Sequence, residues 1–283
     1  MKIGLFFLLI IIQTLNIQAQ NKFELFPYGR NFAHLRANNI EPAVGILYDP
    51  ASSNLKVDIG NSVDMLKYEL GKDKYISIGI DFMGYAYTTS YAGNRLQIDA
   101  LDGVLGGNIS YSEFYGTKIS QFRLRIIHNS AHLVDGNYDI QKQEWISQKP
   151  IPYTKDFVEL AYAYSNLYKK VRYRIYSIVA WAWMVRPKTL KKISGVIGGE
   201  FYFNFEKFNL NKSPFNFFMA INYESEGIPE YIANLRFQLG FKIGKIFKKG
   251  FVLYYEYFHG SNPFNEYYKQ IISRKGIGFV VDF

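Results

Sequence analysis

The sequence predicts an all-β fold: a transmembrane antiparallel up-and-down β-barrel of about twelve strands. Three observations predict it. Apolar and polar residues alternate with a period of two over many segments, several of them about ten residues long, which is what a tilted strand needs to cross hydrocarbon. Aromatic residues make up 18% of the chain, with 24 Tyr and 24 Phe, more than an ordinary core requires. Mean hydropathy is nevertheless −0.11, as expected where lipid-facing and lumen-facing residues alternate and cancel. After the first twenty residues, no apolar run is long enough for a membrane helix.

The elements follow in order. Residues 1–19 read as a secretory signal peptide: Lys2, an apolar run from Ile3 to Ile12, then polar residues and the small Ala19 before the expected cleavage. The run is too short to stay as a spanning helix. Residues 20–42 are expected to be a periplasmic segment or a plug in the lumen, and 43–283 the barrel. Without cysteine the chain has no disulfide, thiolate metal site, Cys nucleophile or lipoprotein anchor.

Strands are expected to begin near Ala43, Leu55, Tyr75, Asp99, Ile119, Lys155, Arg172, Ile193, Phe215, Ile232, Phe251 and Ser273. Ile76, Ile78, Ile80 and Phe82 oppose Ser77, Gly79, Asp81 and Met83. Phe201, Phe203 and Phe205 oppose Glu200, Tyr202 and Asn204. Phe217, Met219, Ile221 and Tyr223 oppose Asn216, Phe218, Ala220 and Asn222, and Leu235 to Ile243 repeats the pattern. The links Gly71–Lys74, Glu113–Lys118, Lys169–Val171, Lys207–Ser213 and Lys245–Lys249 are short, whereas Leu133–Tyr153 and Ser261–Ile272 are long. With both termini periplasmic, the long links fall outside the cell, as in outer-membrane barrels of Gram-negative bacteria. The last strand alternates Ile277, Phe279 and Val281 and ends on Phe283, which resembles the signal read by the outer-membrane assembly machinery.

Parity puts Arg123, Arg125, Arg172, Arg174 and Arg236 on the same face as Glu159, Glu200, Glu224 and Glu256. Such charges can pair and fill a narrow lumen. The net charge of +9 lies largely on Lys in turns and ends, suited to anionic headgroups of outer-membrane lipids and lipopolysaccharide. No basic helix suggests nucleic acid.

The segment that suggests chemistry is Gln121–Asp135. Phe122, Leu124, Ile126, His128 and Ser130 share the lipid-facing side, and Asp156 lies on the same face of the next long strand. A Ser hydroxyl beside an imidazole that a carboxylate orients is a nucleophile–base–orienter set, here facing the outer leaflet. A second His-x-Ser, His259-Gly260-Ser261, is also outward by parity and has no acid on the following strand.

His128-Asn129-Ser130 resembles the His-x-Ser of outer-membrane phospholipase A and of lipid A deacylase, two lipid-facing barrel hydrolases completed by an Asn or a Glu on the next strand. The resemblance implies Ser130 as nucleophile, His128 as base and Asp156 as orienter. This chain has Ala131-His132 after Ser130 where those enzymes have an Asn, and its acid is further along. A second resemblance runs from about Ala43 to Phe283. The run His128 to Asp135, the Arg186-Pro187 corner before Gly198-Gly199-Glu200-Phe201, and Tyr254 to Phe264 followed by Tyr267-Tyr268 resemble a bacterial outer-membrane barrel family with a His-x-Ser-Ser-His-Leu-Gly-Asp-Glu segment. That family implies the barrel and its topology and no activity. Here Ala131 replaces its second Ser, and Val134-Asp135-Gly136 stands for Gly-Asp-Glu.

Two classes of function follow. One is an ester hydrolase acting on phospholipid or lipid A acyl chains through Ser130, His128 and Asp156, with no cofactor. The other is a non-enzymatic barrel: a narrow channel or a structural or surface-binding protein. A metal held by His128, His132 and Asp135 is a lesser alternative, with His132 expected in the loop. Ca²⁺ has no ligand pattern behind it.

Overall fold

Alternation with a period of two makes strands. A computed structural model of the chain describes residues 22–91, 95–132, 134, 138–146, 149–210, 213–227 and 230–283, with backbone alone at 90–91, 95–96 and 206–210. The expected signal peptide lies outside the described residues. The strands are β1 (Phe23–Leu25), β2 (Val44–Asp49), β3 (Asn54–Gly71), β4 (Lys74–Tyr91), β5 (Arg95–Tyr115), β6 (Lys118–His132), β7 (Tyr138–Asp139), β8 (Glu144–Trp145), β9 (Thr154–Tyr168), β10 (Val171–Arg186), β11 (Ile193–Leu210), β12 (Ser213–Gly227), β13 (Tyr231–Gly244), β14 (Gly250–Ser261) and β15 (Ile271–Asp282). Twelve of them, β2–β6 and β9–β15, form one antiparallel up-and-down sheet. It closes where β15 pairs with β2, Val281 opposite Val44 and Ile277 opposite Tyr48. β7 and β8 form a hairpin within the long β6–β9 link, and β1 adds to the inner end of β3.

Eleven of the strand starts lie within two residues of expectation; the strand expected near Asp99 begins at Arg95. The cause is a bulge: Tyr87 faces Ala100 while Thr88 faces Ile98, so Asp99 is an extra residue that switches the parity. A second bulge leaves Met65 unopposed between Asp64 and Leu66, which breaks the alternation midway along the 18-residue β3.

The outer face is a belt of apolar side chains. Ile80, Phe82, Leu105, Ile126, Leu160, Val179, Ile197, Ile221, Leu253 and Ile277 are all exposed. A contiguous apolar surface of this extent is a membrane-facing surface. Tyr115, Tyr168, Trp181 and Trp183, also exposed, stand near the strand ends, where amphipathic rings meet headgroups.

The inner face is polar and filled. Arg125 and Glu159 sit opposite each other on β6 and β9 and form a two-pronged pair, both bonds at 2.8 Å. Arg174 and Glu200 do the same on β10 and β11. Glu256 takes Arg236 at 3.6 Å and Arg274 at 3.4 Å. Residues 31–43 run through this lumen without regular structure. Asn31 donates its N–H to Asp64 at 2.6 Å, and Arg36 donates its N–H to Glu200 at 2.7 Å. Glu41 pairs with Arg123, and the Arg36 guanidinium with Asp282. Phe32 and Leu35 pack with Ala161, Tyr176 and Ile178 of the wall. Irregular backbone is tolerated at membrane depth only when protein satisfies it, and here the wall does so.

Candidate functional site

β6 carries Phe122, Leu124 and Ile126 outward, then His128, Ser130 and His132 on the same face at its outer end. β9 begins there. The register sets His128 opposite Asp156 and Ser130 opposite Thr154, while on the other side Ser130 faces Gly103 of β5. His128 Nδ1 lies 2.5 Å from Asp156 Oδ1. With its proton on Nδ1, the imidazole donates to the carboxylate and leaves Nε2 as a lone pair. The His128 side chain is 49% exposed and that of Asp156 18%.

Ser130 is directed elsewhere. Its Oγ lies 3.1 Å from His132 Nε2, not within hydrogen-bond reach of His128. The His132 ring lies over Gly103, 3.5 Å from where a Cβ would stand, so the glycine leaves a shallow seat for it. Under this ring Ser130 is 8% exposed although it points outward. The structure thus joins His128 to Asp156 and Ser130 to His132 as two adjacent pairs. His132, expected in the loop, is the last residue of β6. The sequence signal for it was the unbroken parity of positions 128, 130 and 132.

Next to Asp156 the wall is distorted. Ala182 faces Phe157 and Met184 faces Asp156, so Trp183 of β10 is the extra residue of a bulge. Trp181, Trp183 and Met184 are all exposed there and form an apolar shelf beside the acid. Bulges re-aim side chains and are frequent beside active sites. Nothing in the alternation of β10 marks this one.

The second His-x-Ser does not form a pair. Ser261 is 3% exposed, with its N–H on Asn234 Oδ1 at 2.8 Å. Gly260 explains why parity misplaces it. Its φ of +153° breaks the alternation, and a Cβ there would stand 2.3 Å from Asn234 Oδ1. His259 instead meets Ser273 Oγ at 2.8 Å across the β14–β15 ladder. Asp135 lies outside the described residues, and among those described no three His, Asp or Glu side chains converge to hold a metal.

The chain matches no protein-family model and no curated protein. It is similar in structure to outer membrane phospholipase A from Escherichia coli, with a TM-score of 0.51 at 9% identity, covering 86% of this chain and 91% of that one. It also aligns with the β domain of the Bordetella autotransporter BrkA (TM-score 0.43, 12% identity, 84% and 96% covered). LpxR from Salmonella typhimurium aligns at a TM-score of 0.41 and 10% identity, with 85% and 99% covered. The likeness to the phospholipase is one of fold. Together with the lipid-facing belt, it establishes the chain as an outer-membrane β-barrel.

Proposed function

We propose that this barrel is an ester hydrolase acting on acyl chains of outer-leaflet lipid. The observation that carries the reading is the outward cluster at the top of β6 and β9. There Asp156 holds His128 at 2.5 Å with Ser130 two residues along the same strand face. Polar side chains on a lipid-facing wall are costly unless they sit at the interface and have a use. In the reaction, Ser130 Oγ attacks the ester carbonyl and passes its proton to His128. The alkoxide leaves with that proton, and water, deprotonated by the same imidazole, releases the fatty acid and restores Ser130. Engaging His128 requires Ser130 to leave His132, a rotation between staggered wells of its side chain. Catalytic hydrogen bonds often tighten only with substrate bound.

The 3.1 Å contact favours a second reading in which His132 is the base. Acyl release from phospholipid and from lipopolysaccharide by the detergent-refolded protein tests both. Ser130→Ala is expected to abolish release, and His128→Ala to lower it at least about a hundredfold, within the range of general-base contributions. Loss with His132→Ala and retention with His128→Ala would transfer the base role. No release from either lipid, with and without Ca²⁺, would favour a non-enzymatic, surface-binding barrel. A channel is the less supported alternative, since Arg123, Arg125, Glu200 and Arg236 are buried and paired.

A further inference from the structure

The periplasmic mouth differs from the rest of the lumen in one respect. Along the barrel interior, cations are matched by acids: Arg36 and Lys242 by Asp282, Arg125 by Glu159, Arg174 by Glu200, Lys155 by Glu226. At the mouth, a cavity of about 330 Å³ is lined by Arg30 from the N-terminal segment, Arg172 from β10, and Lys245 and Lys248 from the β13–β14 turn. Its remaining lining is amide or apolar, with no carboxylate. Among the described residues, none of the four cations forms an ion pair.

Exposed lysines at a mouth need only water. Arg30 is different: its Nη1 is buried without a hydrogen-bond partner, and its Nη2 reaches only Asn61 Oδ1, at 3.3 Å. Arg172 gives one bond to the Thr117 carbonyl at 3.2 Å. The turn folds into the mouth. Phe247 lies under the guanidiniums of Arg172 and Arg174, and the Lys248 ammonium lies 3.7 Å from where a Cβ of Gly29 would stand, beside Arg30. Arg30 and Lys248 also border a smaller neighbouring cavity that holds Asp282, whose carboxylate is already taken by Arg36 and Lys242. Two guanidinium forks and two ammoniums drawn from three chain segments, around a cavity whose own lining has no acid, suit an oxyanion with more than one negative charge.

We propose that this vestibule binds a polyvalent phosphate-type anion at the periplasmic end of the barrel, independently of the chemistry at Ser130. Such a group is supplied either by a soluble phosphate ester or by a phospholipid headgroup. The test uses the mature protein folded in neutral detergent and titrated calorimetrically with pyrophosphate. One equivalent is expected to bind, at least about tenfold more weakly in Arg30→Gln and in Lys248→Gln. Lys118→Gln, an exposed cation outside the cavity, is expected to leave affinity unchanged. Heat-modifiable gel mobility verifies that each variant is folded. Repeating the titration in nanodiscs of phosphatidylcholine, with and without phosphatidylglycerol, distinguishes the sources: competition by phosphatidylglycerol identifies a lipid headgroup, and its absence a soluble ligand. No binding of pyrophosphate, or equal binding by parent, Arg30→Gln and Lys248→Gln, overturns the proposal.

Discussion

Glu200 is one of the wall acids that hold the N-terminal segment in the lumen, and removing its charge tests that arrangement sharply. Its carboxylate is fully buried. It accepts from Arg174 at 2.6 and 3.1 Å, from the Tyr202 hydroxyl at 2.9 Å and from the Arg36 N–H at 2.7 Å. Glu200→Gln keeps the shape and one acceptor oxygen but leaves the Arg174 guanidinium, also fully buried, without its counter-charge. Breaking one side of a buried ion pair costs about 3–5 kcal/mol. At about 4 kcal/mol, the folded population falls nearly a thousandfold relative to the unfolded. Urea unfolding from micelles, followed by Trp fluorescence and gel mobility, measures it. The double variant Arg174→Met/Glu200→Met removes both charges and is expected to recover most of the loss, because desolvation then no longer opposes burial. A Glu200→Gln protein within about 0.5 kcal/mol of the parent, the usual scatter of surface changes, would refute the reasoning. So would a double variant no better than the single.

Two further outcomes follow from particular residues. Glu266, in the β14–β15 loop, has both carboxylate oxygens buried without a partner, and burial pushes its carboxyl up to about 7 from an ordinary 4.5. The folded loop then holds the proton more tightly than the unfolded chain between those values. The stability that this one carboxyl contributes is fully present below about pH 4.5 and is lost as pH rises through 7, by up to about 1.4 kcal/mol per unit. Glu266→Gln should flatten that slope. Hydrogen exchange at the Ile151 N–H, which donates to the Glu266 carbonyl at 2.9 Å, reads it, and a parent equally protected at pH 5 and pH 8 would contradict it. Gly260→Ala would set a methyl against Asn234 at a φ of +153°. It should cost about 1–3 kcal/mol, as other sparsely populated backbone positions do; a thermal-unfolding midpoint equal to the parent's would show that the strand end relaxes freely.

The fold was legible wherever one residue in two had to meet lipid. Ile76 to Phe82 and Phe217 to Tyr223 announce their faces without help, because a one-residue slip would turn every apolar side chain inward. Legibility failed at Asp99, Met65 and Trp183, where a bulge adds a residue and the period slips. It failed again at Gly260, whose backbone carries Ser261 inward against the simple count. The candidate site was legible as parity plus adjacency: His128 and Asp156 meet directly across the ladder. The partner of Ser130 was not, because rotamers decide it. Gly103, with no side chain of its own, lets His132 turn back over the strand.

The distribution of polar groups bears on where function resides. In the lumen, Glu41, Glu159, Glu200, Glu256 and Asp282 each hold at least one buried arginine, so these pairs are accounted for by closing the barrel around its N-terminal segment. Replacing such pairs by apolar residues would leave a barrel. The outward groups at the top of β6 and β9 play no comparable part. His128, Ser130, His132 and Asp156 face the rim, and their side chains bond to one another. The cluster lies beside an apolar shelf of Trp181, Trp183 and Met184, exposed at the edge of the membrane-facing belt. On the proposed hydrolase reading, the substrate at this rim is outer-leaflet lipid, with its ester carbonyls at the depth of the headgroups. This is why lipid acyl release, and not conductance, is the informative assay for this barrel.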